Sequence, residues 1–299
     1  MSRRLRVLVT GRDGQLGRAL LEAVPEGVEA IASGRADHDL ADPEACRRAV
    51  TDVRPDWVLN AGAYTAVDRS ESEPELARAV NAGAPAAFAE ALARNGGRLL
   101  QVSTDFVFEG NQGHPYAPEQ PLAPLGVYGA TKAQGERLAI ERLGTERTCV
   151  LRTSWVYGPV GANFCLTMLR LHRQRALTGQ SLGVVADQVG CPTATAGLAA
   201  ACWAAITRNV TGLHHWSDAG AASWYDFAVA IGELGAAAGL LERPAEVQPI
   251  ATCDYPTPAR RPAYSLLDCR ATRTALELPP RHWRAALAEV LARVQAPAS

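Results

Sequence analysis

The stretch Leu5-Arg6-Val7-Leu8-Val9-Thr10-Gly11-Arg12-Asp13-Gly14-Gln15-Leu16-Gly17 decides the fold. A short apolar strand runs directly into glycines spaced G-x-x-G-x-x-G, and a helical pattern over 18–24 follows. Strand, glycine turn and helix N-terminus together make a phosphate cradle, because glycine admits close backbone approach and the first N–H groups of a helix are free to meet an anion. The order predicts a parallel α/β sheet that binds a dinucleotide, with Gly11, Arg12, Asp13, Gly14, Gln15, Leu16 and Gly17 around the pyrophosphate.

Reading outward, a second strand over 28–32 ends in Ser33-Gly34-Arg35, with no acid there to receive the ribose hydroxyls of NAD. Arg12 and Arg35 are instead placed to meet a 2′-phosphate, which favours NADPH and leaves NADH open; the bland alternative is two solvated arginines. Asp39 and Leu40 are expected beside the adenine, and Asp42 followed by Pro43 reads as the N-cap and first turn of a helix over 43–53. A third strand over 56–60 runs into Ala61-Gly62-Ala63-Tyr64-Thr65, whose small residues let the backbone approach the cofactor. The next helix, starting near 72–74, contains Asn81, expected to tie a neighbouring strand in place. A fourth strand over 98–103 delivers Ser103, Thr104 and Asp105 to its C-terminal end, the edge where ligands sit in open parallel sheets.

Side-chain chemistry is concentrated between Ser103 and Lys132. Tyr128 and Lys132 are four apart on a helical pattern and share a face. A tyrosine of ordinary pKa, about 10, exchanges its proton poorly near neutrality, and a neighbouring ammonium is expected to draw it toward the phenolate. A hydroxyl from Thr104 or Ser103 would hydrogen-bond the carbonyl that receives the proton. Tyr-x-x-x-Lys alone arises readily by chance, as a half-buried tyrosine beside a solvated lysine. The hydroxyl-bearing strand end and the glycine loop give it weight here.

The 299 residues carry a formal net charge of −1 and no long run of like charge, so no footprint for nucleic acid or an anionic membrane is visible. No apolar run reaches the roughly 18 residues needed to span a bilayer, and the first residues lack the pattern of a secretory signal, which predicts a soluble cytoplasmic protein. Seven isolated cysteines suggest reduced thiols, with no disulfide framework and no metal site. Residues 1–160 read as a dinucleotide-binding Rossmann domain, a doubly wound parallel sheet that ends near a strand over 148–155. Residues 161–299 read as a smaller substrate-binding lobe, some segments of which return to the sheet.

The glycine loop, Ala63-Tyr64-Thr65-Ala66-Val67-Asp68, Ser103-Thr104-Asp105-Phe106-Val107-Phe108, Tyr128-Gly129-x-Thr131-Lys132, Arg152-Thr153-Ser154-Trp155-Val156-Tyr157, Asp187-Gln188-x-Gly190-x-Pro192-Thr193 and Arg261-Pro262-x-x-Ser265 occur in this order along nearly the whole chain. Together they resemble the dTDP-4-dehydrorhamnose reductases of the extended short-chain dehydrogenase/reductase superfamily. The resemblance implies NAD(P)H-dependent reduction of the 4-keto group of a dTDP-6-deoxy-L-hexulose. Tyr128 would then be the proton donor, Lys132 the residue that holds the nicotinamide ribose and tunes Tyr128, and Thr104 the ketone polariser. Ala61, Gly62, Ala63, Tyr64, Ser103 and Trp155 would also touch the cofactor. Thr65, Val67 and Trp155 would line the sugar pocket with Asp105 and Phe106, while Asn163, Gln188, Thr193 and Arg261 would sit toward the nucleotide-sugar side.

Two positions depart from that family's pattern. Phe106 stands where many members have Tyr, which removes a sugar hydrogen bond and raises a related dTDP-4-ketosugar reductase, such as a dihydrostreptose synthase, as the alternative. Ala19 replaces a Glu that helps bind magnesium at the dimer interface of some members, which puts magnesium and that form of homodimer in doubt. A non-catalytic regulatory subunit is the rival from another class, and intact Thr104, Tyr128 and Lys132 argue against it.

Overall fold

Successive residues of a strand face opposite sides of a sheet, and here both sides are apolar. In the computed structural model, which describes residues 3–295, β1 (Leu5–Thr10) turns Val7 and Val9 to one side and Leu8 to the other. β3 (Trp57–Asn60) does the same with Trp57 and Leu59 against Val58. With β2 (Val28–Ser33), β4 (Arg98–Thr104), β5 (Thr148–Thr153) and β6 (Gly212–His215) they form one parallel sheet in the order β6-β5-β4-β3-β1-β2. The chain leaves β1 in one direction for β2 and in the other for β3. The crevice at that reversal, outside the strand C-termini, is where the glycine loop emerges.

Helices α1 (Gln15–Glu22) and, much later in the chain, Thr195–Thr207 cover the Val7 face, while α2 (Pro43–Val53), α3 (Ala84–Asn95) and α4 (Val127–Leu143) cover the Leu8 face. α1 begins three residues earlier than the sequence pattern suggested, because the end of the glycine loop is itself the first helical turn. Asp42 caps α2 as expected, its Oδ1 accepting from Glu44 N at 2.9 Å. The helix expected to carry Asn81 is interrupted: Pro74–Arg78 passes through a π-helical turn, Ala79–Gly83, before α3. Such a turn widens the helix by a residue. Asn81 accepts from Tyr64 N at 2.9 Å and donates to Tyr64 O and Thr131 Oγ1 at 3.1 and 3.2 Å. It therefore ties the loop after β3 to α4, rather than a strand.

A second apolar core contains Cys165 and Leu169 from α5 (Phe164–Thr178), Phe227 and Ile231 from α7 (Trp224–Ala237), and Trp283 and Leu287 from α8 (Trp283–Ala292). The helix between them in sequence, α6 (Thr195–Thr207), goes back to the sheet, where Trp203 Nε1 donates to Leu20 O at 3.0 Å. Residues beyond 160 are thus shared between the two cores. The seven cysteines are free thiols, six of them buried, and among the described residues no helix is long and apolar enough to cross a membrane.

Candidate active site

A cleft of about 680 Å³ opens along the C-terminal edge of the sheet and continues under the second lobe. Its floor begins at Gly11, which has φ +71° and would place a Cβ 2.8 Å from the Gly62 backbone. Only glycine lets the two loops approach this closely. The first bond within α1 runs from Arg18 N to Gly14 O, so the N–H groups of Gln15, Leu16 and Gly17 have no partner in the helix and face the cleft mouth.

A buried polar chain crosses the strand ends from this loop. Thr10 Oγ1 accepts from Gly62 N at 3.1 Å and donates to Asn60 Oδ1 at 2.6 Å; Asn60 Nδ2 donates to Gln101 Oε1 at 2.7 Å; Gln101 Nε2 donates to Val102 O at 2.8 Å. The same carbonyl accepts Lys132 Nζ at 2.7 Å. With each link satisfied, the chain fixes β1, β3 and β4 against α4. Helix α4 reaches this depth because Gly129 lies on the turn after β4, where a Cβ would come within 2.1 Å of Phe106 O. Glu71 Oε1 accepts from Val127 N at 2.8 Å and caps the helix from another segment.

Tyr128, Lys132, Ser103, Thr104 and Asp105 all line the cleft. Burial lowers the Lys132 ammonium to about 8, opposed by Glu136, and pushes the Tyr128 phenol up to about 12, with Asp105 adding to the rise and the Thr104 hydroxyl opposing it. The expected pull of Lys132 on the phenol is not among the effects that act on it: burial dominates, and one of the three ammonium N–H groups goes to Val102 O, leaving two for the cleft. A phenol held this way keeps a proton to give. Asp105 is 2% exposed, and burial raises it to about 6 against hydroxyls from Ser265 and Thr104.

The opposite wall is aromatic. Trp155 has a left-handed backbone, φ +47°, uncommon for a residue with a side chain, and its indole stacks on Trp224 with centroids 3.6 Å apart and planes 6° apart. Trp224 Nε1 donates to Gln188 Oε1 at 3.2 Å. Across the mouth, Gln15 Nε2 donates to Ala162 O at 3.2 Å and Gln15 Oε1 accepts from Asn163 Nδ2 at 2.7 Å, so the glycine loop is strapped to the second lobe.

Most residues expected at the site line this cleft, including Asp13, Gly14, Ser33, Arg35, Asp39, Leu40, Ala61, Ala63, Thr65, Val67, Phe106, Asn163 and Arg261. Four do not. Arg12 turns to Asp37, 2.9 Å away, leaving Arg35 exposed on the rim as the nearer cation. Tyr64 donates its hydroxyl to Glu73 Oε2 at 2.6 Å, away from the cleft. Gln188 acts behind Trp224, and Thr193 is fully buried with its N–H donating to Trp155 O at 3.1 Å. Arg261 lines the cleft but is held bidentate by Asp68, at 3.1 and 2.9 Å.

His38, Phe164 and Trp224 also line the site and went unread in the sequence. Trp224 had a signal: Ser223 and Asp226 form a capping box, which starts a helix there and turns its first residue to the ligand edge. The cleft also holds polar atoms without a protein partner, His38 Nε2, Ser103 Oγ and Thr153 Oγ1. Free helix N–H groups at one end, a rim arginine and these orphaned atoms fit a long phosphate-bearing cofactor. Among the described residues no group of three or more His, Cys, Asp or Glu side chains is gathered for a metal ion.

Comparison with known proteins gives the same picture. The chain is 42% identical over 292 residues to a dTDP-4-dehydrorhamnose reductase of Streptomyces griseus, covering 96% of this chain and 93% of that one. It is 40% identical over 291 residues to a probable dTDP-4,6-dihydroxy-2-methyloxan-3-one 4-ketoreductase of Streptomyces antibioticus, covering 95% and 94%. The crystal structure of a dTDP-4-dehydrorhamnose reductase from Bacillus anthracis in complex with NADP superposes with a TM-score of 0.88 at 32% identity, over 96% of this chain and 98% of the other. The model of the RmlD substrate binding domain matches residues 5–296, and the chain belongs to that family.

Proposed function

We propose that this protein is an NADPH-dependent reductase of the 4-keto group of a dTDP-4-dehydro-6-deoxy-L-hexose, forming dTDP-L-rhamnose from dTDP-4-dehydrorhamnose. The observation that carries the reading is the meeting of Tyr128, Thr104 and Lys132 with the glycine cradle in one cleft. When bound, reduced nicotinamide supplies the hydride for C4 of the sugar. The chain does the rest. The N–H groups of Gln15, Leu16 and Gly17 hold the pyrophosphate, and Arg35 meets the 2′-phosphate, a role for which Arg12, paired with Asp37, is less free. Lys132 holds the nicotinamide ribose. Thr104 hydrogen-bonds the ketone oxygen, and Tyr128 gives it the proton as charge develops there. Thr65, Val67, Phe106 and Trp155 shape the sugar pocket, and Arg261, oriented by Asp68, faces the nucleotide side.

Phe106 supports a second reading within the same chemistry. Its ring meets Tyr128 edge-on at 5.5 Å and offers no hydroxyl to the sugar, which fits a ketosugar of different substitution or configuration. Ala19, half-buried on α1, offers no carboxylate to a cation there. Six buried thiols among seven suit the reducing cytoplasm.

The test is NADPH consumption on addition of dTDP-4-dehydrorhamnose, with the C4 configuration of the product read by NMR. Consumption with dTDP-L-rhamnose as product supports the first reading, and another epimer or another preferred sugar supports the second. No consumption with any dTDP-4-ketosugar leaves the regulatory-subunit alternative.

A further inference from the structure

A threonine hydroxyl has one proton and two lone pairs. The Thr104 oxygen accepts from Phe106 N at 3.2 Å and lies 3.0 Å from Asp105 Oδ1. With Asp105 ionised, the Thr104 proton is committed to the carboxylate, and Thr104 turns only a lone pair toward Tyr128 and the cleft. A lone pair repels a ketone oxygen instead of polarising it. With Asp105 protonated, the bond reverses: the acid O–H donates to Thr104, both lone pairs are filled, and the Thr104 proton is free to point at substrate.

The surroundings of Asp105 leave both states open. It is 2% exposed, lines the cleft, and its Oδ2 has no partner in the protein. The groups that face it are the Thr104 hydroxyl on its own segment, the Tyr128 phenol from α4 and the Ser265 hydroxyl from the second half of the chain. The one ammonium lining the cleft floor, Lys132, is bonded to Val102 O. Among the described residues no cation figures in the groups that act on this carboxylate.

We propose that Asp105 is a positioning residue that sets the direction of the Thr104 hydroxyl, the protonated acid turning it onto the ketone and the carboxylate turning it away. This rests on the reductase reading above. It adds that the ketone polariser works only when a neighbouring acid carries a proton. Burial holds Asp105 near 6, so its protonation changes within the range of an ordinary assay.

The experiment is kcat/KM for ketosugar reduction as a function of pH in the wild-type protein and in D105N, T104V, the double variant and S265A. With rising pH the wild type should fall through a step centred near 6, by about a hundredfold, the lower end of what a lost donor to a developing oxyanion costs. D105N cannot ionise, offers Thr104 an amide N–H in place of the acid O–H, and should lose the step. T104V should be slow and without the step, and adding D105N to it should change nothing further. S265A removes a neighbouring hydroxyl whose dipole favours the carboxylate, so its step should move to higher pH; this variant keeps the carboxyl group and serves if D105N folds poorly. NADPH affinity, measured by fluorescence in each variant, should be unchanged. A step that persists in D105N, an equal effect of D105N with and without T104V, or an unmoved step in S265A overturns the proposal. A wild-type protein that reduces no ketosugar overturns the function itself and this inference with it.

Discussion

On the cofactor wall of the cleft, Gly11 to Gly17 presents main-chain N–H groups set by one strand, one turn and one helix that follow each other in sequence. On the facing wall, proposed for the sugar, Trp155, Trp224 and Arg261 line the cleft with Gln188 behind them; the four come from separate segments and act through rings, an amide and a guanidinium. Backbone dipoles bind phosphate whatever side chains flank them, provided the glycines are kept. A wall of side chains is shaped residue by residue, and each needs a supporting partner: Trp155 leans on Trp224, Trp224 on Gln188, Arg261 on Asp68. The two walls should therefore fail separately, cofactor affinity with one and sugar affinity with the other.

The largest separable effect is expected at Arg35. Replacing it by Ala removes a charge-assisted contact of about 1.5–3 kcal/mol and should weaken NADPH binding by roughly ten- to a hundredfold, with NADH binding and the KM for sugar unchanged. Equal losses for NADPH and NADH would place the 2′-phosphate elsewhere. Trp224→Ala leaves Trp155 without its stacking partner. At about 1–1.5 kcal/mol for an aromatic pair, the KM for the nucleotide sugar should rise about tenfold, with NADPH affinity as in wild type by fluorescence titration. A loss on the NADPH side would mean that Trp155 serves the cofactor as well as the sugar.

The smallest effect is a pH dependence at the junction of the walls. Burial depresses Lys132 from 10.5 to about 8, so its ammonium is present below that value and lost above it. The affinity for NADPH should accordingly be flat below pH 8 and fall by a few-fold above it, because the neutral amine holds the ribose hydroxyls less well. Lys132→Met should bind NADPH weakly at all pH values and show no such fall. A fall that survives in that variant belongs to another group.

What could be read from the sequence follows the same division. The strand, the glycine spacing and the Tyr128–Lys132 interval are local, so the sheet, the cradle and the central residues were legible from neighbours in the chain. The direction of the Tyr128 shift was not, because the ammonium–carbonyl bond to Val102 and the burial of the phenol depend on how deeply Gly129 lets α4 settle. Arg12 and Arg35 looked equivalent until Asp37 was seen to take the first. Gln188 and Thr193 belong to a legible motif, but their contacts are with the tryptophans, and the pairing of Trp155 with Trp224 spans segments that no local pattern connects.

The claim on which both walls converge is that Tyr128 supplies the proton between them. The direct measurement is single-turnover reduction by the Tyr128→Phe variant, run beside its NADPH titration. The account predicts a rate lower by roughly two to four decades, as for loss of a general acid, with NADPH affinity within about twofold of wild type. Wild-type turnover in that variant would contradict the account.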